Sequence, residues 1–210
     1  VFTAPFKVLI RAARDIWNNK ANVILANMVA VMACLTVIFA PPAIFGLFYM
    51  ANRLAAGEKT GLTGLIKGGR AYFIKSWLWA ILTIVVFLIV SVNLSFYERA
   101  PAPWGLVLQY FFVFVLLVWL VIQFFALAYL MEMEEPSLRL ALRNGWFTLM
   151  ASPGYTLVLV LLAGLVTAIS ILSFFPILLF TPCLLAGLFT RAVQERLQTL
   201  GIRQSLVKGK

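Results

Sequence analysis

Glu132, Glu134 and Glu135 fall close together in the connector MEMEEPS. Carboxylates so spaced are the one set in this chain that could hold a cation. The plainer expectation is that they are solvated charges at the start of the following helix, where the helix dipole favours them. Other chemistry finds few candidates. Histidine is absent, which removes the commonest metal ligand and the usual neutral-pH base. The two cysteines, Cys34 and Cys183, sit in separate apolar runs without metal-ligand spacing and read as packed thiols. Ser152-Pro153-Gly154 and Lys67-Gly68-Gly69 are too short to cradle a phosphate. No nucleophile elbow occurs, and a serine triad lacks its base. No catalytic residue, cofactor or metal is therefore expected.

The elements that surround these residues are apolar. Of 210 residues, 63% are hydrophobic and 11% charged, against about half and a quarter in a soluble domain. Several apolar runs approach or exceed the roughly 18 residues that mark a membrane span. Residues 1–210 thus read as a single transmembrane domain, an all-α polytopic membrane protein. The first long apolar run follows Lys20 and looks retained, not a cleavable signal. The net charge of +10 would point to nucleic acid in a soluble protein. In a membrane protein it marks the cytoplasmic face and its anionic headgroups, so nucleic acid is not an expected partner.

The stretch Phe39–Ala56, FAPPAIFGLFYMANRLAA, has a partial copy in Phe180–Ala192, FTPCLLAGLFTRA. At a shift of 141, Pro41, Gly46, Leu47, Phe48 and Ala51 match Pro182, Gly187, Leu188, Phe189 and Ala192. Proline removes a backbone donor and clashes with the preceding turn. Pro41, Pro42 and Pro182 are therefore expected to end helices at structural hairpins, with Gly46 and Gly187 allowing close helix approach.

Charge selects a topology. Six spans, 22–40, 43–56, 76–96, 104–130, 155–175 and 178–192, with both termini cytoplasmic, put 16 of 17 basic residues inside or at the inner boundary and only Arg99 outside. If each proline pair merely kinks one helix, four spans result and the split becomes 10 to 7. The positive-inside rule prefers three hairpins. The second span is short, which leaves a tilted, a re-entrant or a buried segment as the alternatives. The middle hairpin turns at YERAPAPW, and Trp77, Trp79, Tyr97, Trp104 and Tyr129 sit where interfacial belts form.

Each hairpin is expected to follow a basic amphipathic interfacial helix. In the first, Phe6, Leu9, Ile10, Ala13 and Trp17 share a face, opposite Lys7, Arg11 and Arg14. The second pairs Leu62, Leu65, Ile66, Gly69 and Phe73 with Lys67 and Arg70. The third pairs Leu138, Ala141, Leu142, Gly145 and Leu149 with Arg139 and Arg143. A rival register matches Ala12, Arg14 and Trp17 to Ala141, Arg143 and Trp146. The basic residues are candidate headgroup contacts; a helix packed on protein would need similar spacing.

The predicted span interiors carry no Asp, Glu, Lys or Arg, whereas ion pathways usually need one. Their polar residues, including Asn27, Asn52, Asn93, Gln109, Gln123, Ser170 and Thr181, can join helices or line a path for a neutral solute. The run from Asn22 to Trp77, with its Asn-containing first span, proline break, NRLAAGEK and KGGRAYFIKSW, resembles the YesL-like family of small bacterial membrane proteins. That resemblance implies no enzymatic activity and an accessory role near carbohydrate import. The expectation is a non-enzymatic subunit of a larger complex in the bacterial cytoplasmic membrane, its partners being membrane lipids and other membrane subunits. The alternative is a small-solute transporter or lipid-handling protein.

Overall fold

Proline decides where two helices begin. Pro41 and Pro42 occupy the first turn of one helix and Pro182 the first turn of another, where a missing N–H costs nothing. The computed structural model describes residues 3–98, 103–173 and 179–201. Among them nine α-helices follow in order: α1 Thr3–Asn18, α2 Lys20–Leu35, α3 Ala40–Ala55, α4 Leu62–Ala71, α5 Phe73–Glu98, α6 Pro103–Glu132, α7 Leu138–Ala151, α8 Pro153–Ser173 and α9 Thr181–Thr199.

Three of these, α5, α6 and α8, are long and apolar enough to cross a membrane. α5 and α6 extend the expected spans 76–96 and 104–130 by a few residues, and α8 begins two residues before the expected span 155–175 and is described to Ser173. The other three expected spans take a different form. α2 and α3 have 16 residues each, about 24 Å at 1.5 Å per residue, against a core of about 30 Å. α9 runs on past the expected end at 192 and carries Arg191, Glu195 and Arg196 in its second half. Residues 174–175 and 178, Arg99 and half of the expected outer turn, and the basic tail residues Arg203, Lys208 and Lys210 lie outside the described residues.

A turn over residues 36–39 separates α2 from α3. The Ile38 N–H bonds back to the Thr36 carbonyl, and Thr36 Oγ1 donates to the Ala33 carbonyl at 2.6 Å. Val37 takes φ 59°, a left-handed conformation uncommon for a β-branched residue. α2 and α3 pack together, and Gly61, beyond the end of α3, lies against Asn22 near the start of α2. The turn residues Val37, Ile38 and Phe39 are exposed and apolar.

The core is a triangle of α3, α6 and α9, each touching the other two. Phe189 on α9 stacks on Phe124 of α6 at 4.8 Å and meets Phe125 edge-on at 5.1 Å, while Phe48 on α3 approaches Phe124 at 6.4 Å. Such offset and edge contacts suit aromatic quadrupoles. Phe48 and Phe189 are the matched pair of the sequence echo.

Each short amphipathic helix docks on a corner of this triangle. α4 packs on α3, α7 on α6, and α1, which follows none of them, on α9. α4 and α7 thus pack chiefly on the core helix before them, and α1 on the last described helix of the chain. Glycine sets the approach. A Cβ at Gly69 would stand 3.1 Å from the Pro42 carbonyl oxygen, and one at Gly145 would stand 3.0 Å from that of Ile122. A Cβ at Gly46 would strike the Leu65 carbonyl oxygen. Between α1 and α7 the buried pair is Ala12 and Ala141, as in the rival register, whereas Ala13, which the first register equates with Gly145, is exposed.

The buried stripe of α1 differs from the expected face. Val8, Ala12 and Ile16 are buried, while Phe6, Ile10 and Trp17 are 51, 59 and 66% exposed. α1 therefore has two apolar sides, one on protein and one outward beside its basic side chains.

Candidate functional site: a basic cleft between α3 and α4

The end of α3 turns the chain back along α4. Gly57 has φ 84°; its N–H bonds to the Leu54 carbonyl and that of Glu58 to the Arg53 carbonyl, both at 3.0 Å. This left-handed closure is the Schellman arrangement, and glycine adopts it without a Cβ penalty. It brings Glu58, Lys59 and Thr60 beside the first turn of α4. Glu58 Oε1 accepts from Arg53 Nη1 at 2.8 Å, and Arg53 Nη2 donates to the Tyr49 hydroxyl at 3.2 Å. Both bonds, Glu58's above all, raise the Arg53 guanidinium above its ordinary pKa, so its charge is fixed.

Lys67 and Arg70, three positions apart on α4, share a face and close the other side. The cleft holds about 530 Å³ and is lined by Tyr49, Arg53, Glu58, Lys59, Thr60, Thr63, Gly64, Ile66, Lys67 and Arg70. Four positive charges against one negative leave it at +3. Its floor is the contact of α3 with α4. A Cβ at Gly68 would stand 2.5 Å from Tyr49 Cβ and 3.0 Å from Gly46 Cα, so only a glycine lets α4 sit this close.

The other expected site residues are spread around the molecule. Pro41, Pro42 and Gly46 are buried in α3; Gly187 is buried in α9 beside the half-buried Pro182. A Cβ at Gly187 would meet only Ala12 Cβ at 3.6 Å, ordinary contact. Lys7 and Arg14 are exposed on α1, and Arg139 and Arg143 on α7. Arg11 is exposed but paired with Glu195 at 2.6 Å. Only Lys67 and Arg70 of the expected basic set come together in the cleft; Arg53 and Lys59 join them.

Two polar junctions went unread in the sequence. Glu132, expected among solvated charges, accepts hydrogen bonds from Asn52 of α3 and from Gln194 of α9, the latter at 2.8 Å. It ties the three core helices together at one end. Asp15 pairs with Arg191 at 2.7 Å, joining α1 to α9. Burial pushes the Asp15 carboxyl up, against the opposing pull of Arg191. Inside the bundle, Asn27 donates to the Leu179 carbonyl at 2.9 Å and accepts from the Cys183 N–H at 3.2 Å, so it satisfies the backbone around Pro182. No family model, curated protein or solved structure matches this chain.

Proposed function

We propose that the chain is a non-enzymatic integral membrane subunit, a structural or accessory component of a larger bacterial membrane complex. The observation that carries this reading is where the interior polar groups go. Asn27 holds the backbone of α9, Thr181 donates to Ser170 at 2.6 Å, Tyr129 and Thr148 share a bond of 2.8 Å, and Trp79 donates to Gln123. They join helix to helix, as polar residues in membranes do, instead of converging on a substrate. Large apolar side chains, among them Phe87, Phe111 and Phe114, face outward and offer surface to lipid or to a partner.

The proposed topology has both termini on the cytoplasmic side of the bacterial inner membrane. α5, α6 and α8 cross it, and α2, α3 and α9 complete three hairpins as short or partly buried segments. Its support is that Asp15–Arg191, Glu132–Asn52–Gln194 and Arg196–Ser152 link the segments assigned to the cytoplasmic side. The resemblance to the YesL-like family adds a role beside carbohydrate import. The test is purification from the native membrane in gentle detergent: a defined larger assembly is expected, and recovery only as a lone monomer would count against a subunit.

The second reading is a transporter or lipid-handling protein. Two core helices that start at proline and fall short of a full span favour it, because broken helices build transporter sites. Robust solute flux or lipid scrambling by the pure protein in liposomes would favour this reading over the first.

A further inference from the structure

We propose that the α3–α4 cleft is a binding site for a phosphate-bearing anion, supplied by the headgroup of an anionic membrane lipid. The inference rests on the membrane reading above, which puts this end of the bundle at the cytoplasmic surface.

The cleft is built for an anion that spans several cations. Glu58 is already engaged by Arg53, whereas Lys59, Lys67 and Arg70 form no ion pair within 4 Å among the described residues. The volume of about 530 Å³ lies within the usual range for small-ligand clefts, roughly 300–1,000 Å³. The Tyr49 and Thr63 hydroxyls add neutral polar groups to the lining. Arginine and lysine together supply both directed donors and a point charge for phosphate oxygens.

A lipid also needs somewhere to lay its chains. Ile66 lines the cleft and is 47% exposed, and Phe73 and Ile74, just beyond α4, are exposed as well. Exposed apolar side chains so close in sequence to Lys67 and Arg70 suit an amphiphile. A fully soluble phosphate would leave them uncovered. Basic pockets between helices on the cytoplasmic side are where anionic headgroups are held.

The experiment uses the purified full chain, delipidated in detergent and then supplied with phosphatidylglycerol, cardiolipin or phosphatidylcholine, with bound lipid read by native mass spectrometry. Lys67→Gln combined with Arg70→Gln is compared with Arg139→Gln combined with Arg143→Gln, which removes the same charge from α7. The expected result is retention of the anionic lipids but not of phosphatidylcholine. The Lys67/Arg70 variant should lose roughly tenfold or more in retention, at about 1 kcal/mol per surface cation, and the Arg139/Arg143 variant should lose little. Equal losses in the two variants would overturn the site, because they would reflect net charge alone. A separate arm titrates inorganic phosphate and glycerol phosphate. If these bind the wild-type cleft while no lipid is retained, the lipid assignment is overturned. If the double variant does not fold, Lys59→Gln and Lys67→Gln singly should each lower retention, and no loss in either sinks the proposal. Lipid retention does not depend on a protein partner, so this result and the purification test fail separately.

Discussion

Arg191 on α9 holds Asp15 on α1 at 2.7 Å, and both side chains are mostly buried, 24 and 19% exposed. The first and last described helices are thereby joined beside the contact of Gly187 with Ala12. One turn away, Arg11 and Glu195 make the same link at 2.6 Å, but with Arg11 55% exposed. Environment ranks the two. An exposed pair contributes about 0–1 kcal/mol, whereas breaking a buried one leaves an uncompensated charge at about 3–5 kcal/mol. Asp15→Ala is therefore expected to destabilise by about 2–3 kcal/mol and Arg11→Ala by less than about 1 kcal/mol. Thermal unfolding in detergent checks the order, and an equal loss in both variants would refute it.

The same aspartate has a pH signature. Burial raises its folded pKa above the ordinary 3.8, so the folded state holds the proton more tightly than the unfolded chain. The contribution of Asp15 is then greatest at and below about pH 4 and falls as pH rises through the folded value. Asp15→Asn removes the titration. Between pH 4 and 7 the melting temperature of the wild type minus that of Asp15→Asn should decline with pH. A rising difference would mean that Arg191 outweighs desolvation.

These junctions mark the limit of what the sequence discloses. Glycine and long apolar runs act locally, so the apolar helices long enough to cross a membrane and the small residues Gly46, Gly69 and Gly145 were legible. Proline was legible only as a break: Pro41, Pro42 and Pro182 stand in the first turns of α3 and α9 instead of ending the helices before them, so the expected starts at 43 and 178 were misplaced. Partners across the fold were not legible. Glu132 is joined by Asn52 and Gln194, which are 80 and 62 positions away, while the acidic residues near it in sequence, Glu134 and Glu135, are exposed. The buried stripe of α1 was hidden for another reason. α1 has two apolar sides, and the bulkier outward one, Phe6, Ile10 and Trp17, dominates the periodicity over Val8, Ala12 and Ile16. In the cleft, Lys67 and Arg70 were readable as a helical pair, while Arg53 and Lys59 arrive through the turn at Gly57.

The sequence echo treats Gly46 and Gly187 alike, and the packing separates them. A Cβ at Gly46 would strike the Leu65 carbonyl oxygen and lie 3.1 Å from its carbon. Backbone must move, so Gly46→Ala is expected to cost about 1–3 kcal/mol. At Gly187 the nearest atom would be 3.6 Å away. There alanine gains helix propensity of about 0.5–1 kcal/mol over glycine, so the variant should be neutral or slightly more stable. Melting temperatures of the two variants decide the matter, and a common shift would show that Gly46 does not set the distance between α3 and α4.

The topology can be tested without any assumption about function. Cys34 is exposed and Cys183 buried, so a background of Cys34→Ser leaves one shielded thiol. Single cysteines are then placed at Lys67, Arg143, Gln204 and Ala102 and exposed to a membrane-impermeant thiol reagent in intact cells. On the proposed topology the first three lie at the cytoplasmic side and Ala102 at the other; α5 and α6, of 26 and 30 residues, reach about 39–45 Å at 1.5 Å per residue, enough for each to cross. Labelling is expected at Ala102 alone. Lys67 is the decisive position, because it follows α2 and α3. If these two helices together made a single crossing, Lys67 would be labelled and the basic cleft would face away from the cytoplasm.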